Sequence, residues 1–300
     1  MQPSQGERTQ FANILLATDF SPSSQSALLY SLAIARRYQA RVIIAHVVNP
    51  SGTKFLGHDA VERSVNDAWR DAHAEMTNQL IAGRLEGVDN HVEVAQGEVW
   101  EELSKLIDKY KADLLVTGTR GRTGVWKLLL GSTAEKIFRN SSIPVLTIGP
   151  RISTGIPPES GPKRVLYSTG FAPHSVRAGQ YAFSIARRQQ AKLAMIHVAK
   201  DVPEDSQPMR AQLERDSRHR LEGLIPPDAG LVSPPEIFVD FGNPAEAILK
   251  TADHWNPDLI VLGLRRSEEE SGKRATWATA YNVVCNAKCP VLTVRMHDPE

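Results

Sequence analysis

The chain repeats itself, and this limits its fold more than any other feature of its 300 residues. The segment NILLATDFSP from Asn13 to Pro22 returns as RVLYSTGFAP from Arg164 to Pro173. RVIIAHV (Arg41 to Val47) returns as KLAMIHV (Lys192 to Val198). DLLVTGTR (Asp113 to Arg120) returns as DLIVLGLR (Asp258 to Arg265), and PVLTI (Pro144 to Ile148) as PVLTV (Pro290 to Val294). The order is the same in both halves. The offset drifts from 151 residues (13 to 164) to 146 (144 to 290), so the copies differ by small gaps. Between them, residues 151–162 are rich in Pro, Gly and Ser and read as a linker. The expected organisation is a domain over 11–150, a linker over 151–162 and a second domain over 163–296.

Each copy alternates strand and helix. In the first, a strand over Ile14 to Ala17 meets Ser21-Pro22, an N-cap followed by Pro at the first helical position. Leu28, Leu32 and Ala35 then fall on one helical face. Further strands are expected at Arg41 to Val48, His91 to Ala95, Leu114 to Thr117 and Val145 to Ile148. Helices are expected at roughly Asp59 to Leu85, Val99 to Tyr110 and Ser132 to Arg139. Apolar strands without alternation are buried on both faces. The fold class is therefore α/β: two tandem open parallel five-stranded sheets, strand order 3-2-1-4-5, with helices on both faces and right-handed crossovers.

One constellation carries chemistry. Gly118, Gly121 and Gly124 lie in a loop that ends at Gly131-Ser132-Thr133, between a buried strand and a helix. Gly118 and Gly121 let the backbone turn and approach an anion, and Gly131 does the same at the helix entry. The free N–H groups near Ser132 and Thr133 carry the positive end of the helix dipole and form an anion site. In open α/β sheets ligands bind beyond the carboxyl ends of strands where strand order reverses. With the order 3-2-1-4-5 that point lies between strands 1 and 4. Asp19 then sits opposite the loop, placed either to meet a ribose or base or to cap a helix with Ser21.

These residues resemble the nucleotide-binding motif of the universal stress protein family: Gly118-x-x-Gly121, nine residues, then Gly131-Ser132, with Ala17-Thr18-Asp19, His46-Val47 and Pro144-Val145-Leu146. The resemblance runs twice along nearly the whole chain, as in a tandem universal stress protein. It implies that Asp19 and Val47 contact the adenosine part of ATP, with Ala17 also among the residues of the nucleotide site. Gly118, Gly121, Gly131, Ser132 and Thr133 would hold the phosphates, with Arg120 placed to pair with one. It also implies a divalent ion, Mg2+, accompanying the triphosphate, a role in stress response, and dimerisation through the last strand.

The second copy departs from this pattern. Asp19 is matched by Gly170 and Gly121 by Arg266; Gly131 and Ser132 fall opposite Trp277 and Ala278, and Glu268 to Glu270 add negative charge. Losing one charge-assisted hydrogen bond costs about 1.5–3 kcal/mol, roughly 10- to 150-fold in affinity. One nucleotide per chain is expected, in the first half.

Other readings are bounded by what the chain lacks. There is no Walker loop, no S-G-G-x-D-S loop and no acidic cluster with lysine of the receiver type, and no catalytic residue is assigned. A slow ATP hydrolase, with a metal-bound water attacking, lacks a general base. An interaction scaffold, with the repeat as an internal pseudo-dimer through Val145–Ile148 and Val291–Val294 or a homodimer, is the remaining alternative. The leading reading is a nucleotide-dependent regulatory module whose loop, ordered by ATP, is read by an unknown protein partner. A net charge of +1 gives no signal for nucleic acid or a membrane surface. The polar N-terminus carries no secretory signal and no apolar run reaches the ~18–20 residues of a span, so a cytoplasmic location is expected. Cys285 and Cys289 read as core residues, not zinc ligands. Trp69, Trp126, Trp255 and Trp277 read as packing residues, and His46 and His197 as hydrogen-bonded histidines at strand ends. Lys127 and Arg122 read as solvated cations.

Overall fold

The computed structural model describes residues 11–48, 66–67, 69–71, 74, 78, 83–119, 132–152, 161–203, 206–264 and 275–295, without the side chains of 22, 23, 132, 133 and 275–277. The chain divides into two compact units, one of Phe11–Gly161 and one containing Pro162–Glu300.

In the first unit the order is β1 (Asn13–Ala17), α1 (Pro22–Tyr38), β2 (Arg41–Val48), β3 (Asn90–Gln96), α2 (Val99–Tyr110), β4 (Leu114–Gly118), α3 (Ser132–Asn140) and β5 (Val145–Ile148). The strands lie β3-β2-β1-β4-β5 and every pairing among them is parallel. Residues 66, 67, 69–71, 74 and 78 are helical; the rest of the helix expected over Asp59 to Leu85 lies, up to residue 82, outside the described residues. The core explains the apolar runs. Leu15, Ile43, Leu103, Leu115 and Ile137 are wholly buried and pack together from three strands and two helices. Each such side chain is worth about 1.5–3 kcal/mol of transfer free energy. Asp113, just ahead of β4, accepts the Ala12 N–H (2.7 Å) and clamps the chain where it enters β1. Burial pushes its carboxyl up, against the pull of the backbone N–H groups of Ala12 and Asn13.

The second unit repeats the plan: β6 (Arg164–Ser168), α4 (Pro173–Gln189), β7 (Lys192–Ala199), α5 (Gln207–Glu222), β8 (Glu236–Phe241), α6 (Pro244–Trp255), β9 (Leu259–Leu264), α7 (Ala275–Asn286) and β10 (Val291–Arg295). Its strands run β8-β7-β6-β9-β10, again all parallel. Asp258 takes the role of Asp113, accepting the N–H groups of Lys163 and Arg164 at 2.8 and 2.9 Å.

Cys285 and Cys289 are buried free thiols, and burial pushes Cys289 up to about 12. Trp255 is buried as expected. Trp69 departs from expectation: 45% of it is exposed, so it is not a core residue. Trp126 lies outside the described residues, as does the side chain of Trp277. Among the described residues no helix is long and apolar enough to cross a membrane.

Candidate functional site

The sheet of the first unit grows outward from β1 through β2 to β3, then on the other side of β1 through β4 to β5. In a sheet of this order, the carboxyl ends of the strands on either side of the reversal, here β1 and β4, are where ligands bind. Ala17 is in register with Ala45 on one side and Thr117 on the other. Gly118, the next residue, is opposite Ile148. Val47 lies two residues beyond Ala45 and packs with Ala17 against the core. Ala17, Asp19, Val47 and Gly118 therefore share one edge of the sheet.

The turn after β1 is held by its own polar groups. The Thr18 N–H donates to the Ala45 carbonyl (2.9 Å), and Thr18 Oγ1 accepts the Phe20 N–H (3.0 Å). His46 Nδ1 lies 2.9 Å from the Thr18 carbonyl, the strand-end bond expected of it. Phe20 has φ 59, a left-handed conformation that costs a residue with a Cβ about 1–3 kcal/mol. Its ring rests 5.0 Å from the His46 ring. Asp19 Oδ1 accepts the Ser21 N–H (3.0 Å), and Ser21 in turn caps α1 through the Ser24 N–H (3.4 Å). The capping role weighed for Asp19 is thus present in the fold: its carboxylate holds the N–H of the cap residue Ser21.

On the neighbouring strand, β4 ends at Gly118. Thr119 is buried and donates its N–H to the Ile148 carbonyl (3.2 Å), so the loop leaves β4 from an anchored residue. Arg120, Gly121, Arg122, Lys127 and Gly131 lie outside the described residues. Ser132 and Thr133 open α3, whose backbone is described and whose first two side chains are not. Sequence reasoning missed Glu98. Its carboxylate caps α2, accepting the N–H groups of Trp100 and Glu101 at 2.9 and 3.3 Å, and its other oxygen meets Lys136 Nζ at 2.5 Å. Lys136 stands one turn into α3, so Glu98 ties the helix that opens at Ser132 to its neighbour. The Lys136 ammonium, followed by the two backbone donors, holds the Glu98 carboxyl below its ordinary range against partial desolvation.

The second unit keeps the scaffold of this edge and changes its surface. Thr169 Oγ1 accepts the Phe171 N–H (3.0 Å), Phe171 has φ 62, and His197 Nδ1 lies 2.8 Å from the Thr169 carbonyl. Gly170 stands where the first unit has Asp19, and Ala172 at the start of α4 makes no side-chain cap. Gly263, the counterpart of Gly118, has a packing reason: a Cβ there would lie 2.5 Å from Ser175 Cα and 2.6 Å from the His174 carbonyl oxygen. The first turn of α4 presses onto β9 at that point.

The profile of the universal stress protein family matches twice, over residues 10–149 and 161–295. The universal stress protein MJ0531 of Methanocaldococcus jannaschii is 31% identical over 139 residues, covering 46% of this chain and 82% of that protein. A crystal structure of a universal stress protein from Archaeoglobus fulgidus covers 94% of this chain and 98% of its own, with 21% identity and a TM-score of 0.70. A further universal stress protein, crystallised in complex with cAMP, is 28% identical and covers 47% of this chain and 98% of its own, with a TM-score of 0.32. With two family segments that together take in most of its length, and the same parallel order in each half, this chain belongs to the universal stress protein family.

Proposed function

We propose that the first domain binds one adenine nucleotide, ATP, and acts as a nucleotide-dependent regulatory module in a stress response. The observation that supports this is the order reversal at β1, with Asp19 two residues beyond the end of β1 and Gly118 at the end of the neighbouring β4. A carboxylate is an acceptor for ribose hydroxyls, and the opening turn of a helix offers free N–H donors to phosphate. Ala17 and Val47 supply apolar surface between the two. Gly121, Gly131, Arg120, Ser132 and Thr133 complete the phosphate side. A Mg2+ ion, if it accompanies ATP, would supply counter-charge to the triphosphate; among the described residues no cluster of His, Cys, Asp or Glu is placed to hold a metal.

Calorimetric titration of the full chain with ATP, ADP, AMP and cyclic AMP, with and without Mg2+, tests this. One site per chain is expected, with ATP protecting residues 118–131 from hydrogen exchange. Two equal sites, or no uptake by well-folded protein, overturns the reading.

A further inference from the structure

The same edge of the second domain carries a group of side chains with no counterpart in the nucleotide reading. Phe171 is the meeting point. Its ring lies 4.3 Å from that of His197, and the Arg220 guanidinium carbon sits 3.9 Å from its centroid. Arg220 comes from the far end of α5 and is exposed. Stacking on an aromatic face uses the π side of a guanidinium and leaves its in-plane N–H fork for a ligand. Among the described residues that fork makes no hydrogen bond or ion pair. His197 is fixed from the other side: Nδ1 faces the Thr169 carbonyl and so carries the proton, which leaves Nε2 as the atom that titrates.

The residue beside this pair is Gly170. A Cβ there would meet nothing within 4 Å, and its φ is not left-handed, so neither packing nor backbone geometry demands glycine. The effect of glycine here is to remove the carboxylate that the first domain has at Asp19. The edge thereby loses its carboxylate: an acceptor in one domain, an arginine cation, a titratable imidazole and an open backbone in the other. Among the described residues, three other charged groups of α5 and β8 have partners of their own. Arg218 reaches the Ile237 carbonyl (3.4 Å), Arg210 sits over Phe241 (4.1 Å), and Asp240 faces Lys250 (3.5 Å). From β8 the residue in register with His197 is Val239.

We infer that the second domain holds an oxyanion site, in which Arg220 and His197 receive inorganic phosphate or a phosphate monoester over Gly170. The arginine fork makes paired charge-assisted hydrogen bonds to two oxygens, and protonated Nε2 donates to a third. Without a ligand, protonating His197 would set a second positive charge against the ring that already carries Arg220. Burial, opposed by the contact to the Thr169 carbonyl, and then Arg220 hold the His197 imidazole below its ordinary titration range. An anion between the two cations reverses that bias, so binding strengthens as His197 protonates.

The test is the histidine signals of the full chain by NMR, with His197 assigned by their loss in H197N and His46 as internal reference. Inorganic phosphate and glycerol 3-phosphate are titrated separately. A saturable shift at His197 is expected, with its titration midpoint rising by about 1 pH unit. R220Q abolishes the ligand-induced rise and by itself raises the ligand-free midpoint, because the repulsion is gone. G170D also abolishes the rise. A response to both probes names the phosphoryl group as the ligand, and a response to the ester alone names a monoester. No response at His197 in folded protein, or the same response in R220Q, overturns the inference.

Discussion

The two domains share strand order, the Thr–Phe turn with its left-handed phenylalanine, the strand-end histidine and the aspartate that clamps the first strand. They differ where a ligand would be met: Asp19 against Gly170, a capping Ser21 against Ala172, Gly121 against Arg266, Gly131-Ser132 against Trp277-Ala278. The left-handed turn is costly for phenylalanine, yet the fold keeps it in both copies. It therefore belongs to the scaffold, while the proposed nucleotide site is set apart by residues that vary, such as Asp19 and Gly121. A duplicated fold separates the two kinds of residue within one chain, without reference to any other protein.

The sharpest way to break this comparison is to exchange the variable residues. Gly131→Trp gives the first domain the side chain of the second and removes the close approach at the helix mouth. Loss of two phosphate hydrogen bonds predicts a fall in ATP affinity of at least ~100-fold, read by calorimetry with circular dichroism to confirm folding. Unchanged affinity would place the nucleotide elsewhere.

Gly263 and Gly170 sharpen it from the other side. Gly263→Ala forces a Cβ into the backbone of α4, where no side chain can swing away. Overpacking of this kind costs about 3 kcal/mol and should show as a lower denaturant midpoint with ATP binding intact. Gly170→Ala meets open space and an ordinary backbone, so it should stabilise by about 0.4–1 kcal/mol through the unfolded chain. Equal effects at the two sites would refute the assignment of one to packing and the other to the surface.

Much of this is legible in the sequence because the signals are local or repeated. Ser21-Pro22 announces α1, and four repeated segments give the strands their order twice over. The features that stay hidden depend on partners far along the chain. Glu98 is a weak N-cap by type, and its value comes from Lys136, 38 residues away. Phe20 and Phe171 carry no mark of positive φ, since bulky residues avoid it. The stacking of Arg220 on Phe171 joins two elements with no shared pattern. Trp69 has helical spacing, but spacing alone does not say which face of a helix is covered. The loop from Arg120 to Gly131 is read from its glycines and lies outside the described residues, so its role rests on the titration and the exchange of Gly131.

The smallest expected difference is in acid response, and it comes from the caps of α2 and α6. Glu98 caps the first with a charge, and Asn243 caps the equivalent helix of the second without one, accepting the N–H groups of Ala245 and Glu246. Lys136 lowers the folded-state pKa of Glu98. A lowered carboxyl contributes stability that is present above the unfolded value of about 4.3 and is lost as pH falls through the folded value. The first domain should therefore loosen before the second as pH drops below ~4.5, and the difference should shrink in Glu98→Asn. Lys136→Met, which removes only an exposed pair, should cost about 0.5 kcal/mol near neutral pH and nothing once Glu98 is protonated. Hydrogen exchange at α2 and α6, followed between pH 6 and 3, measures both. If α6 opens first, or if Lys136→Met costs the same at either end of that range, the charged cap is not what distinguishes the two helices.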